Sequence, residues 1–121
     1  MITEKETLKC EAIFNEDRTH RSFWKRVWNK DKPTACVIML NPCMADTIIT
    51  DTTTYLVVNN IARLETFGGV EIVNLFSRVT NKLNFKWNAI NELTDETNDE
   101  YIKKAASEAN VIILAWGRGA A

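Results

Sequence analysis

Three polar clusters in this sequence carry side chains able to do chemistry, and each follows an apolar run. Asn41-Pro42-Cys43-Met44-Ala45-Asp46 follows Val37-Ile38-Met39-Leu40. Asn74-Leu75-Phe76-Ser77-Arg78-Val79-Thr80 follows Val70-Glu71-Ile72-Val73. Trp116-Gly117-Arg118-Gly119 follows Val111-Ile112-Ile113-Leu114-Ala115. Pro42 fixes φ and lacks an N–H, so the chain turns there and presents the Asn41 amide. Asp46 and Asp51 fall in the same loop, among Thr47, Thr50, Thr52, Thr53 and Thr54. An amide and a carboxylate so placed can orient a water, accept a proton or bind ribose hydroxyls. Asp51 can equally cap a following helix, with the threonines satisfying turn backbone. Asn74 offers a donor and an acceptor side by side, which suits a base edge or another amide. Arg78 offers a planar fork for phosphate or carboxylate, or a partner for Asp46 or Asp51. Thr80 closes that cluster. Trp116 supplies a stacking face, Gly117 allows close backbone approach, and Arg118 can reach a phosphate at the start of a helix. A tryptophan at the end of an apolar strand is also a natural core residue.

These clusters act together only if the strands before them run the same way. Residues 34–40, 70–73 and 111–115 are apolar almost throughout, as strands covered on both faces are. Between the first two, Asp51 or Thr52 caps a helix over about 53–67, with Val57, Ile61 and Leu64 on one face. Gly68-Gly69 is expected to supply its left-handed end. Thr97-x-x-Glu100 reads as a capping box opening a helix to about Ala109, with Ile102, Ala105, Ala106 and Ala109 inward. Strand, helix, strand with short connections is a parallel βαβ unit. All three clusters then emerge at the carboxyl edge of one sheet, where open α/β sheets bind ligands. Residues 8–14 and 21–28 precede this core as an antiparallel hairpin at the sheet edge. Its basic residues Arg18, Arg21, Lys25 and Arg26, mixed with Phe23, Trp24 and Trp28, read as a solvated face or a surface for a nucleic-acid strand. Residues 77–93 form a long polar and aromatic connection.

Composition excludes several classes of function. The chain has 121 residues, 45% hydrophobic and 26% charged, with a formal net charge of −1. That suits one α/β domain with no global electrostatic pull on nucleic acid, although a local basic patch is compatible with it. No apolar run approaches the roughly 20 residues that cross a bilayer. The N-terminal MITEKETLK lacks the apolar core of a signal peptide, so a cytoplasmic location is expected. Cys10, Cys36 and Cys43 form no C-x-x-C pair and His20 is the only histidine, so no metal or other cofactor is expected. Gly117-Arg118-Gly119-Ala120-Ala121 reads as a strand-to-helix turn, which predicts a single domain over 1–121 truncated after its third parallel strand. A homodimer or protein partner covering that face is the alternative.

The runs HRSFWKRVW, VIMLNPCMAD, NLFSRVT, ETNDE and ILAWG resemble, in order, an uncharacterised bacterial and phage family. That family shows MLNPSTAD, DPT, NLF-x-x-RAT, GP-x-ND and AWG. Cys43 stands where the family has serine, and Asn81-Lys82 where it has Asp-Pro. The chain is more remotely similar to the uracil-DNA glycosylase superfamily. There one strand ends in an NPG-type motif carrying the water-positioning residue, a later segment reads TNLV-x-R-x-T, and a further strand ends in a glycine motif similar to LALG. Leu40-Asn41-Pro42-Cys43, Asn74–Thr80 and Leu114-Ala115-Trp116-Gly117 look like these three. The resemblance implies a three-layer α/β/α sandwich with a four-stranded parallel sheet, and hydrolysis of an N-glycosidic bond in a nucleotide or DNA. Asn41 or Asp46 would orient the water. Pro42, Asp51, Asn74, Arg78, Thr80, Trp116, Gly117 and Arg118 would hold the substrate. The superfamily's histidine motif after the last strand has no counterpart here. A different class of function, a non-catalytic interaction module of a phage or mobile element, stands as the alternative.

Overall fold

The structure is a computed structural model that describes residues 1–79 and 97–115. Residues 80–93 of the long connection, Thr80 among them, and the Trp116-Gly117-Arg118 turn lie outside the described residues. The elements are β1 (Lys9–Phe14), β2 (Arg21–Val27), β3 (Thr34–Met39), α1 (Thr52–Arg63), β4 (Gly69–Asn74), α2 (Asn98–Glu108) and β5 (Ile112–Ala115). They build an α/β domain around one 5-stranded mixed sheet of order β1-β2-β4-β3-β5. β3 pairs in parallel with β4 on one side and β5 on the other. β2 joins β4 antiparallel, and β1 joins β2 antiparallel. The expected hairpin and the expected parallel trio are both present. They share one sheet, which differs from the all-parallel sheet that the remote resemblance implies.

The period-2 alternation of a strand sends successive side chains to opposite faces. On β4, Val70 and Ile72 join Trp24, Ala35, Val37, Val58, Ile61 and Phe67 in a core under α1. Val73 joins Cys36 and Ala105 in a second core, with Ile102 of α2 packed against it. Each helix therefore covers its own face. Burial and the nearby Glu71 raise the Cys36 thiol to about 11, so it acts as a small apolar side chain. The same alternation leaves the edge strand half covered. Ile113 and Ala115 pack into the α1 core. Ile112 and Leu114 are exposed at 45% and 62%, so the expected double-sided cover of this strand is missing among the described residues.

Three local expectations are corrected. Helix α1 stops at Arg63, four residues early, and Leu64 is exposed rather than inward. The left-handed residue after it is Glu65, at φ 60°, and neither Gly68 nor Gly69 has positive φ. Gly68 is required by proximity instead, since a Cβ there would collide with the backbone carbonyl of Asn29. That carbonyl approach lets Gly68 O accept from both Trp28 N (2.8 Å) and Asn29 N (3.0 Å). At α2 the threonine half of the expected capping box is missing. Thr97 makes no side-chain cap bond and has helical φ/ψ, and the first helical residue, Asn98, is buried. Tertiary contacts of Asn98 hold this helix start in place of a local cap.

Candidate functional site

Parallel pairing of β3, β4 and β5 brings their carboxyl ends to one rim. Met39 pairs with Asn74 and with Ala115 across the sheet. Pairing continues past the strands, with Leu75 N donating to Met39 O and Phe76 N to Leu40 O, both at 2.9 Å. Asn41 follows at this same rim, two residues beyond the register partner of Asn74.

The hairpin also reaches it. Arg21 N donates to Ser77 O and Val79 N to Thr19 O, both at 2.8 Å, and His20 bridges to Arg78. The His20 Nδ1 and Ser77 Oγ lie 2.8 Å apart. Arg21, expected on a solvated face, is buried, with 1% exposure. The cause is a β-bulge. Ile13 pairs with Phe23 and Phe14 with Arg21, which leaves Ser22 as an extra residue on β2. Strict alternation from Trp24 would send Arg21 to the opposite face. The bulge turns it back, and bulges are known to re-aim side chains in this way. Arg21 Nη1 then donates to Ala45 O at 2.8 Å, and Ala45 belongs to the Trp24 core. The other hairpin basics are engaged too. Lys25 pairs with Glu71 at 3.1 Å, Arg18 lies over Phe14, and Arg26 lies over Trp24.

Side chains hold the loop between β3 and α1 at both ends. Trp24 Nε1 donates to Asp46 O at 2.8 Å, next to the Arg21 bond on Ala45 O. Asp51 Oδ1 accepts from Thr54 N at 2.8 Å, and its Oδ2 accepts from Met44 N and Ala45 N, each at 3.1 Å. Burial pushes the Asp51 carboxyl up, but the bonds from Thr54, Ala45 and Met44 together hold it below its ordinary value. Asp46 Oδ1 accepts from Ile49 N and Ile48 N at 2.7 and 2.8 Å, and these bonds lower its carboxyl as well. Both carboxylates thus brace the loop. Asn41 Nδ2 donates to Pro42 O at 3.1 Å, and Pro42 itself is fully buried. Arg78 is exposed at the rim.

The unusual feature lies beneath these braces. Four buried side-chain polar atoms lack a hydrogen-bond partner among the described residues: Arg21 Nε, Asn74 Nδ2, Asn74 Oδ1 and Asn98 Oδ1. All four sit at the carboxyl rim. Asn74, Ile72 and Val70 share a strand face by alternation, so the Asn74 amide points to the α1 side. Asn98 reaches the end of β4, with Nδ2 donating to Asn74 O at 2.9 Å. That bond fixes its amide orientation and leaves Oδ1 without a donor. Leaving a buried polar group unsatisfied costs about 1–3 kcal/mol, and such groups are rare enough in native proteins to require a reason. Asn74 was marked by its place after an apolar run. Arg21 and Asn98 were not, because a bulge and a tertiary helix anchor leave no local pattern.

Fold and rim together define an α/β domain that gathers polar groups where its parallel strands end. The chain belongs to a family of proteins of unknown function, DUF1643, whose model it matches over residues 21–121. No curated protein and no solved structure is significantly similar to it.

Proposed function

We propose that this domain binds a nucleobase at the carboxyl rim of its sheet, in a glycosylase-like manner. The observation that carries the reading is the Asn74 amide, fully buried with both its donor and its acceptor unpartnered among the described residues. A primary amide presents N–H and C=O in one plane, as a pyrimidine or purine edge does, so the two can exchange a pair of hydrogen bonds. The order of the NP and NLF-S-R segments, similar to the glycosylase superfamily, supports the same reading. Solvent does not reach the amide, so the shell over it must part for a ligand to enter, and a base within a duplex would first have to leave the stack.

Asn74→Val tests this directly. Valine suits a strand and removes both unpartnered atoms, so stability is expected to rise by about 1 kcal/mol. Binding of nucleosides, followed by titration calorimetry, is expected to weaken by about 2 kcal/mol, roughly thirtyfold. A stabilised variant with undiminished binding, or a wild type that binds no base, nucleoside or oligonucleotide, ends the reading.

The reaction that fits is hydrolysis of an N-glycosidic bond. Asn41 is the better candidate to orient the water, because Asp46 Oδ1 is committed to two backbone N–H groups. Oligonucleotides carrying uracil, hypoxanthine or a mismatch are expected to break after alkali treatment, and Asn41→Ala is expected to abolish this with the fold intact. Unbroken strands with the wild type leave a binding domain without this chemistry.

A further inference from the structure

Arg21 is a buried cation at this rim with a donor that the described residues leave unused. It is 1% exposed, and Ala45 O is the acceptor of its one described side-chain hydrogen bond. Its Nε has no partner among the described residues. The described residues contain one ion pair, Lys25–Glu71, on a different part of the sheet. Asp51 and, less strongly, Cys43 favour the charged guanidinium; Asp51 forms no ion pair with it, and its own oxygens take three backbone N–H groups. Burial lowers the guanidinium to about 10, which still leaves it cationic at neutral pH. Buried charges in proteins are ordinarily paired or ligated. Arg21 forms no ion pair among the described residues, and its Nε–H, directed inward by a bulge, is a buried donor open to an anion.

Its surroundings carry both signs, with the Asp51 carboxylate on the N-terminus of α1 and Asp99 and Glu100 in the first turn of α2. Both helices start at this rim. Helix α1 follows the loop that Arg21 braces, and the first residue of α2, Asn98, bonds to the end of β4. Helix N-termini carry partial positive charge, but Asp51 already takes up that of α1, so the anion site rests on the guanidinium itself. Arg21 and Asn74 lie on adjacent strands, β2 and β4, at this common edge and on the same face.

We infer that Arg21 holds a phosphate of the ligand, so that the rim takes a phosphorylated nucleotide in preference to a free base or nucleoside. This rests on the nucleobase reading above and adds the charged half of the ligand. Arg21 Nε–H supplies the unused donor, and a phosphate oxygen supplies the acceptor and the counter-charge. The phosphate can belong to a free nucleotide or to a strand, and the chemistry at Arg21 is the same.

The test is calorimetric titration of the whole chain with the four common ribonucleosides, their monophosphates, inorganic phosphate and a short single-stranded oligonucleotide. At least one monophosphate is expected to bind ten times or more tighter than its nucleoside. In Arg21→Met that ratio is expected to fall to near one, and Arg21→Lys is expected to restore part of it. Equal affinity of nucleoside and monophosphate in the wild type overturns the inference while leaving the nucleobase reading intact. So does a tenfold ratio that survives in Arg21→Met. Binding of phosphate and all monophosphates alike, unaffected by Asn74→Val, removes the base reading and keeps the anion site. No binding of any probe removes both. Should Arg21→Met fail to fold, the wild-type ratio and Arg21→Lys still decide the matter. An oligonucleotide that binds more tightly than any monophosphate identifies a strand as the source of the phosphate, and the reverse order identifies a free nucleotide.

Discussion

Replacing Trp24 with alanine is expected to destabilise the domain by about 3–5 kcal/mol, the range for emptying a large aromatic site in a core. Trp24 is fully buried and is the largest side chain in the α1-side core. It sits opposite Ile72 on β4 and so ties the hairpin to the parallel strands. Its indole N–H also carries the bond to Asp46 O. Domains of this size have roughly 5–15 kcal/mol in all, so the variant stands close to its unfolding threshold. Urea titration followed by circular dichroism measures the loss. A cost under about 1.5 kcal/mol, typical of a half-buried ring, would contradict the packing described. Trp24→Phe separates the two roles. It keeps most of the apolar contact and leaves Asp46 O without its donor, which is expected to cost about 1–2 kcal/mol. The smaller variant thereby reports the anchoring of the loop alone.

Trp24 also marks what a sequence can and cannot disclose. The apolar runs at β3 and β4 were legible because strands covered on both faces admit few polar residues; β5 carries the same pattern with one face exposed, and the clusters behind the three runs showed where the rim would be. Parallel direction followed from the helices between them. The fate of the hairpin was not legible in the same way. A pattern such as Arg21-Ser22-Phe23-Trp24-Lys25-Arg26 reads equally well as a basic aromatic surface. A single extra residue in the ladder decides that Arg21 turns inward beside Trp24. Such a bulge depends on the pairing of two strands, so neither strand displays it alone. Asn98 is hidden for a similar reason. Thr97 and Glu100 have the spacing of a capping box, yet the start of α2 is held through Asn74 O, 24 residues earlier in the chain. Leu64 misled because helical periodicity says nothing about where a helix stops. For Arg21 and Asn98 a contact distant in sequence overrode a local signal. Two of these, Arg21 and Asn98, carry the unpartnered polar atoms of the rim together with Asn74, which is where disagreement between local rule and structure is expected to signal function.

The second large effect is expected at Asp51. Its carboxylate accepts three backbone N–H groups: Thr54 N inside the helix, and Met44 N and Ala45 N in the loop. Loss of a helix N-cap alone costs about 0.5–2 kcal/mol, and two further donors lose their acceptor, Ala45 N part-buried and Met44 N exposed. Asp51→Ala is therefore expected to cost roughly 2–4 kcal/mol. Asp51→Asn is expected to cost less, because one amide oxygen can still cap α1 while the other acceptor is gone. The two forms also differ in their response to acid. Burial raises the Asp51 carboxyl, but its hydrogen bonds outweigh this and leave it lower in the folded chain than its ordinary value of 3.8. A carboxyl depressed by folding contributes stability that is complete above the unfolded value and is lost as pH falls through the folded one. Wild type should therefore lose more stability than Asp51→Asn between pH 5 and the acid limb, and the gap between their urea midpoints should close as pH falls. A gap that stays constant with pH would show that the Asp51 charge does not hold the loop. Asp51 is also the charge that favours the buried guanidinium of Arg21. Removing it takes away the larger of the two groups that favour that cation, the other being Cys43, so Asp51→Asn should cost less in an Arg21→Met background than in wild type. Because neighbouring charged groups couple, a double-mutant cycle on this pair is expected to depart from additivity by at least about 0.5 kcal/mol.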